Sequence, residues 1–223
     1  QNVLDKYPSL NKKLDIIHTE NFVPMDAKPA DAIRRIGKDS SMWLSIDSCA
    51  KKESDVVLSA GNTGALMALS KLILKTVDGI ERPAITALWP NPKGNSVVLD
   101  LGANIDISAN QLVQFGIMGY AYALCVLKNE NPKVAILNIG HEEMKGSNNL
   151  QEAYDKLSNI FSSNFIGFVE GDDLSKGTSD VIITDGFTGN VALKTAEGIA
   201  KLIAHYLSDS LKSSLTGKLG MFI

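Results

Sequence analysis

Val181-Ile182-Ile183-Thr184-Asp185-Gly186-Phe187-Thr188-Gly189-Asn190 decides the fold: three apolar β-formers, a polar turn with two glycines, then a helical period carried by Ala192, Ala196, Ile199, Ile203 and Leu207. A run so uniformly apolar predicts a strand buried on both faces. The same order recurs upstream. Val56-Val57-Leu58 leads into Ser59-Ala60-Gly61-Asn62-Thr63-Gly64, Val97-Val98-Leu99 into Asp100-Leu101-Gly102-Ala103-Asn104, and the run 134–137 into the turn 138–146. Weaker runs lie at Ile16-Ile17, 85–88 and 165–169. Strands alternating with helical segments predict an α/β fold with a mostly parallel sheet.

Two further helices are expected to cover that sheet, one presenting Leu112, Phe115, Gly119, Tyr122 and Val126, the other Leu150, Tyr154, Leu157 and Phe161. Pro29 suits the first turn of a helix over 30–51, and Asp78-Gly79, Asn91-Pro92-Lys93-Gly94 and Asn131-Pro132 read as loops. With 44% apolar residues in 223, the chain can bury a large core, and residues 1–223 are read as a single α/β catalytic domain.

The 22 basic against 25 acidic residues leave a net charge of -3, which provides no global attraction for nucleic acid. Cys49 and Cys125 form neither a CxxC pair nor a disulfide framework, and both read more readily as core residues than as nucleophiles; their scarcity fits a reducing, cytoplasmic setting. No apolar run approaches the roughly 20 residues of a membrane span, and the opening residues lack the apolar stretch of a secretory signal.

In open α/β sheets ligands gather beyond the carboxyl ends of strands. There the turns Gly61-Asn62-Thr63-Gly64 and Gly186-Phe187-Thr188-Gly189 each precede a helix, where free backbone amides and the helix dipole favour an anion such as phosphate. The same glycines would also serve simple tight strand-to-helix turns. Lys194, one turn beyond Asn190, could add positive charge beneath such an anion, or be a solvated helix lysine. Lys145 lies in a turn beside Gly146, as a point charge facing a cleft or as a surface lysine. The chain has no Gly-x-Ser-x-Gly elbow, Walker pattern, Gly-x-Gly-x-x-Gly fingerprint or His-Glu-x-x-His helix. His18 and His205 read as structural or exposed; His141 sits at a strand end beside Glu142 and Glu143.

Taken in order, SAGNTGALMALS (59–70), RPAI (82–85), LDLGAN (99–104), LVQFGIMG (112–119), NPKVAILNIG (131–140) with Glu142-Glu143 and Lys145-Gly146, VEGDDL (169–174) and TDGFTGNVALKTAEG (184–198) resemble the bacterial phosphate acyltransferases of phospholipid synthesis, the PlsX family. The likeness is collinear and runs from about Asp15 to Ile223. It implies a three-layer α/β/α fold similar to the isopropylmalate and isocitrate dehydrogenases and to phosphotransacetylases, a homodimer, and transfer of an acyl group from acyl carrier protein to inorganic phosphate. That family begins with a strand and an Asp-x-Met-Gly-Gly-Asp turn and continues past the segment ending this chain, so the sequence is read as a fragment. His141 stands where the family more often has a small or acidic residue, which implies no essential role for it.

Phosphate is its own nucleophile and a thioester has a good leaving group, so the chemistry needs positioning and oxyanion stabilisation rather than a covalent intermediate. By the resemblance, Lys145 and Asn190 are the catalytic candidates; Gly61, Asn62, Thr63, Gly64, Gly186, Thr188 and Gly189 form the phosphate and substrate cradle, with Asn104 and Lys194 as second choices. No cofactor and no metal are called for. An acidic carrier protein would dock on Arg34, Arg35 and Lys38 or on Lys201, Lys212 and Lys218, and residues 211–223 mix Leu211, Met221 and Phe222 with lysines as a peripheral membrane segment or dimer-packing helix would. Three rivals remain: a coenzyme A-dependent phosphotransacetylase; a metal- and NAD-dependent decarboxylating dehydrogenase, disfavoured by having only Arg34, Arg35 and Arg82; and a non-catalytic scaffold for lipid-synthesis enzymes.

Overall fold

A computed structural model describes residues 4–10, 13–34 and 38–213, and the chain divides after Thr76 into two compact units. The first is helical. Beyond two short 3-10 turns, Leu4–Lys6 and Pro8–Leu10, it contains α1 (Pro29–Arg34), α2 (Ser41–Ala50) and α3 (Thr63–Ile73). Pro29 does open a helix, but the single helix expected over 30–51 is two. Ser40 Oγ accepts from Trp43 N at 3.3 Å and caps α2, satisfying an amide that has no partner within the helix. Ile46 and Leu69 are fully buried among Val23, Ala32, Met42 and Ala65.

The strands expected at 16–17 and 56–58 do not form. Val57 packs against the helices, but Ile16, Ile17 and Val56 are exposed and Leu58 is 96% exposed. Val-rich composition makes a stretch suitable for a ladder without supplying the neighbour that would complete it.

The second unit holds the sheet: β1 (Thr86–Asn91), β2 (Gly94–Leu99), α4 (Ala109–Cys125), β3 (Val134–Leu137), α5 (Asn148–Phe161), β4 (Phe165–Val169), β5 (Val181–Ile183) and α6 (Gly186–Ser213). The strand order is β1-β2-β5-β3-β4; β1 runs antiparallel to β2 and the other pairs are parallel, so the sheet is mixed but mostly parallel. The β1–β2 hairpin closes over Pro92 and Lys93. Asn91 Oδ1 accepts from Lys93 N at 2.9 Å, and Gly94 takes φ +131°, a value that favours glycine.

Alternate strand residues face opposite ways. Val97, Leu99, Val134, Ile136, Val181 and Ile183 pack with Leu112 and Phe115 of α4 and Leu157 of α5; Val98, Ala135, Leu137 and Ile182 pack with Trp89 and with Ala192, Leu193 and Ala196 of α6. The uniformly apolar runs are thus buried from both sides. The expected helical faces hold for α5 and for most of α4, where only Val126, at the helix end, is exposed. On α6 the expectation fails beyond Ala196: Ile199, Ile203 and Leu207 are half exposed, because the helix outruns the short strand beneath it. Among the described residues no helix is long and apolar enough to cross a membrane.

Candidate active site

Because β2, β5 and β3 are parallel neighbours, the turns 100–104, 184–190 and 138–146 leave the sheet side by side at its carboxyl edge. The first is organised by Asp100, which is fully buried. Its Oδ1 accepts from Ile85 N at 2.9 Å, Ala103 N at 3.0 Å and Gly102 N at 3.3 Å; its Oδ2 accepts from Asn104 N at 2.7 Å and Asn104 Nδ2 at 2.9 Å. Five donors on one carboxylate offset the cost of removing its charge from water. Asn104 Nδ2 also donates to Pro83 O at 2.9 Å. Expected as a second-choice phosphate donor, Asn104 is buried with its amide group turned inward, and it shapes the turn.

Gly186 and Gly189 are both buried against this turn. Gly186 N donates to Asn104 O at 2.7 Å. A Cβ at Gly186 would meet Asn104 O at 2.6 Å, and one at Gly189 would meet Asp100 O at 2.0 Å. The glycines therefore let the start of α6 lie on the neighbouring backbone, the simpler of the two readings open at the sequence level. Since that backbone cannot move without breaking the Asp100 network, Gly189→Ala is expected to destabilise the protein by at least about 1–3 kcal/mol, read as a lowered urea midpoint.

Of the opening amides of α6, expected to be free for an anion, those of Gly186, Thr188 and Gly189 have partners. Asp185 Oδ1 accepts from Thr188 N at 2.8 Å, Asp185 O accepts from Gly189 N at 2.9 Å, and Thr188 Oγ1 donates to Asp185 Oδ2 at 2.6 Å. The helix is capped by its own carboxylate, which already meets the dipole. What faces outward is the side-chain layer. Asn190 is exposed and lies beside Gly102, where an added Cβ would be 3.5 Å from its Cβ and Cγ. Lys194 is exposed and paired with Glu197 at 3.0 Å.

Lys145 folds back across its own loop. Its Nζ lies 2.8 Å from Glu142 Oε1, over Gly140, where a Cβ would collide with the lysine side chain. The hydrogen bond between them, reinforced by their opposite charges, holds the Lys145 ammonium above its ordinary pKa and the Glu142 carboxyl below its own. Both groups are about half exposed, so water and salt weaken the pair and an incoming anion can compete for the ammonium. Lys145 and Asn190 thus stand on turns of adjacent strands. Asn190 leans toward the β2 turn, whereas the Lys145 loop is tied to the β4 side through His141 Nδ1, 3.0 Å from Phe168 O. A cleft of about 240 Å³ is lined by Ile105, Asp106 and Ile107 after the β2 turn, Ser147, Asn149 and Leu150 at the start of α5, and Asp185.

In the first unit, Asn62 caps α3: its Oδ1 accepts from Ala65 N at 2.9 Å, and its Nδ2 donates to Met25 O and Ala27 O, each at 2.9 Å. Gly61 N donates to Ser59 Oγ at 3.2 Å, and a Cβ on Gly64 would lie 3.1 Å from Pro29 Cγ. Asn62, expected as a neutral donor to substrate, anchors the 24–27 segment instead. Thr63 is the exposed side chain of this turn.

Asp100 and Asp185, the carboxylates that organise the second unit's turns, were not among the predicted site residues. Their signal is an Asp one or two residues past a strand with Gly one or two residues further on, an arrangement that lets a carboxylate gather nearby amides.

The fold has relatives among solved structures. A phosphotransacetylase from Staphylococcus aureus superposes with a TM-score of 0.58 at 17% identity over 90% of this chain and 73% of that one, and a phosphotransacetylase from Streptococcus pyogenes gives 0.58 at 17% over 74% and 56%. Curated relatives are nearer in sequence. The "Phosphate acyltransferase" of Parvibaculum lavamentivorans is 49% identical over 221 residues, and that of Rhodospirillum rubrum 52% over 216; these cover 99% and 96% of this chain and 61% and 62% of the relatives. The chain therefore spans about three-fifths of the length of the curated relatives it matches. The profile of the family described as "Fatty acid synthesis protein" matches residues 1–223. With its strand-end turns intact and that match running from the first residue to the last, the chain belongs to the fatty acid synthesis protein family.

Proposed function

We propose that the protein transfers a fatty acyl group from the thioester of acyl carrier protein to inorganic phosphate, giving acyl phosphate and free carrier protein for phospholipid synthesis. The observation that carries this reading is the 49–52% identity, over nearly the whole chain, to proteins named phosphate acyltransferase. A phosphate oxygen attacks the thioester carbonyl, the C–S bond breaks, and the thiolate leaves with the acyl group now joined to phosphate. Lys145 supplies a cation and Asn190 an amide donor to the phosphate or to the oxyanion of the tetrahedral intermediate. In the second unit Lys194 and the exposed Thr188 hydroxyl are further contacts for the anion; in the first unit Thr63 is the proposed substrate-binding side chain. Gly61, Gly64, Gly186 and Gly189, with Asn62 and Asn104, act by setting the backbone from which those groups project. Residues 1–223 are taken to serve one catalytic function.

Transfer through coenzyme A is the alternative; the collinear segments that resemble the PlsX family favour carrier protein. We also infer kinship with the three-layer α/β/α isopropylmalate and isocitrate dehydrogenases, supported by helices on both faces of the sheet. The carrier protein is proposed to dock on Arg34 with Lys38, or on Lys201 with Lys212; Arg35 and Lys218 lie outside the described residues. The bare apolar residues of α6 support a homodimer, or peripheral contact of a cytoplasmic enzyme with the inner face of the membrane through 211–223, of which 214–223 lie outside the described residues. The test is incubation of a chain extended to the relatives' full length with acyl carrier protein thioester and phosphate, followed by hydroxylamine trapping. Phosphate-dependent hydroxamate is expected; hydroxamate formed only from acyl-coenzyme A would select the alternative, and none from either would reject acyl transfer.

A further inference from the structure

The loop 138–146, which presents Lys145, is held by hydrogen bonds from two side-chain amides and a phenol, and by one contact that depends on a proton on histidine. Asn138 Nδ2 donates to Lys145 O at 3.0 Å, Gln151 Nε2 of α5 donates to Met144 O at 3.1 Å, and Tyr154 OH of α5 donates to Glu143 Oε1 at 2.9 Å. His141 differs from these. Its Nδ1 lies 3.0 Å from the Phe168 carbonyl oxygen, which can only accept, so Nδ1 carries the hydrogen. In the neutral ring Nε2 is then a bare acceptor, yet it faces Asp173 Oδ2 at 3.5 Å and Glu170 Oε1 at 3.8 Å, both also acceptors. Nothing joins them until Nε2 gains a proton. Protonation turns Nε2 into a donor and places a positive charge between two carboxylates.

The far side of this contact is rigid. Asp173 is 5% exposed; its Oδ2 accepts from Glu170 N at 2.9 Å and its Oδ1 from Lys176 Nζ at 3.0 Å. His141 therefore ties a surface loop to a fixed point beyond β4.

We infer that His141 is a positioning residue, a protonation-dependent latch that fixes the Lys145 loop to the turn after β4 and so sets how Lys145 meets an anionic substrate. The latch itself follows from geometry; its bearing on substrate rests on the reading of Lys145 given above. The charged groups facing the ring are Glu170, Asp173 and Lys176 from the β4 side and Glu142 from its own loop. The Phe168 hydrogen bond, then Asp173 and Glu170, outweigh desolvation and Lys176 and raise the His141 pKa above the ordinary histidine value. A raised value means the Nε2 contact is fully formed below the ordinary histidine pKa and is lost as pH rises through the raised one, leaving the Phe168 hydrogen bond alone to hold the loop.

The experiment is an NMR titration of the His141 ring combined with amide hydrogen exchange of residues 139–146 at pH 6 and pH 8, corrected for intrinsic exchange. In the wild type the ring is expected to titrate above the ordinary value, and loop protection to fall by about two- to fivefold between the two pH values, the range an exposed ion pair supports. In His141→Gln that fall disappears; in Glu170→Gln the ring titrates nearer the ordinary value. Asp173 is buried and its replacement endangers the fold, so the partly exposed Glu170 is the partner to change. A ring titrating at the ordinary value, or an equal fall in His141→Gln, overturns the latch. Neither readout needs turnover, so failure of the acyl-transfer proposal leaves them interpretable. In the active full-length chain, KM for phosphate is expected to rise across the same pH interval in the wild type and not in His141→Gln.

Discussion

Lys145→Ala and Asn190→Ala, made in a chain of the relatives' full length, are each expected to lower phosphate-dependent acyl-hydroxamate formation by roughly 10²- to 10³-fold, as loss of one preorganised oxyanion donor typically does. Stability should stay within about 0.5 kcal/mol of wild type, since both side chains are substantially exposed and neither fills the core. Glu142→Gln is the informative contrast. It removes the carboxylate that engages Lys145 Nζ at 2.8 Å while leaving the ammonium in place, so activity is expected to persist with an equal or lower KM for phosphate. Turnover unchanged in Lys145→Ala and in Asn190→Ala would remove both from the catalytic machinery.

Asp100→Ala is expected to produce the largest loss of stability, about 3–5 kcal/mol by urea denaturation, since the amides of Ile85, Gly102, Ala103 and Asn104 lose their acceptor inside the protein at about 1–3 kcal/mol each before water enters. Asp100→Asn keeps the shape but turns one acceptor into a donor facing donors, so an intermediate loss is expected. The effect should reach the site as well. Gly186 N is bonded to Asn104 O and Gly189 lies on Asp100 O, so the helix that carries Asn190 rests on this turn. Wild-type stability in Asp100→Ala would mean that the turn holds its shape without the carboxylate.

These two predictions separate what a local pattern can disclose from what it cannot. The runs 134–137, 165–169 and 181–183 coincide with β3, β4 and β5, and the run 97–99 forms the end of β2; their burial from both sides follows from a composition that leaves no polar face. The candidate turns were legible for the same reason, since glycine and asparagine after an apolar run mark where a parallel strand stops. Residues 56–58 carry the same local signal and remain outside the sheet with Leu58 bare.

Periodicity is a property of a few consecutive residues, and it was enough to determine the α/β class, the strands β3, β4 and β5, and the covering faces of α5 and most of α4. The destination of each hydrogen bond depends on groups far apart in the chain. Only the tertiary structure could decide that Asn104 turns to Pro83, that Asn62 holds Met25 and Ala27, that Asp185 closes the start of α6, and that His141 faces Asp173. A buried or half-buried polar group bonds to whichever partner the fold brings within about 3 Å, and one-dimensional spacing does not encode that neighbour.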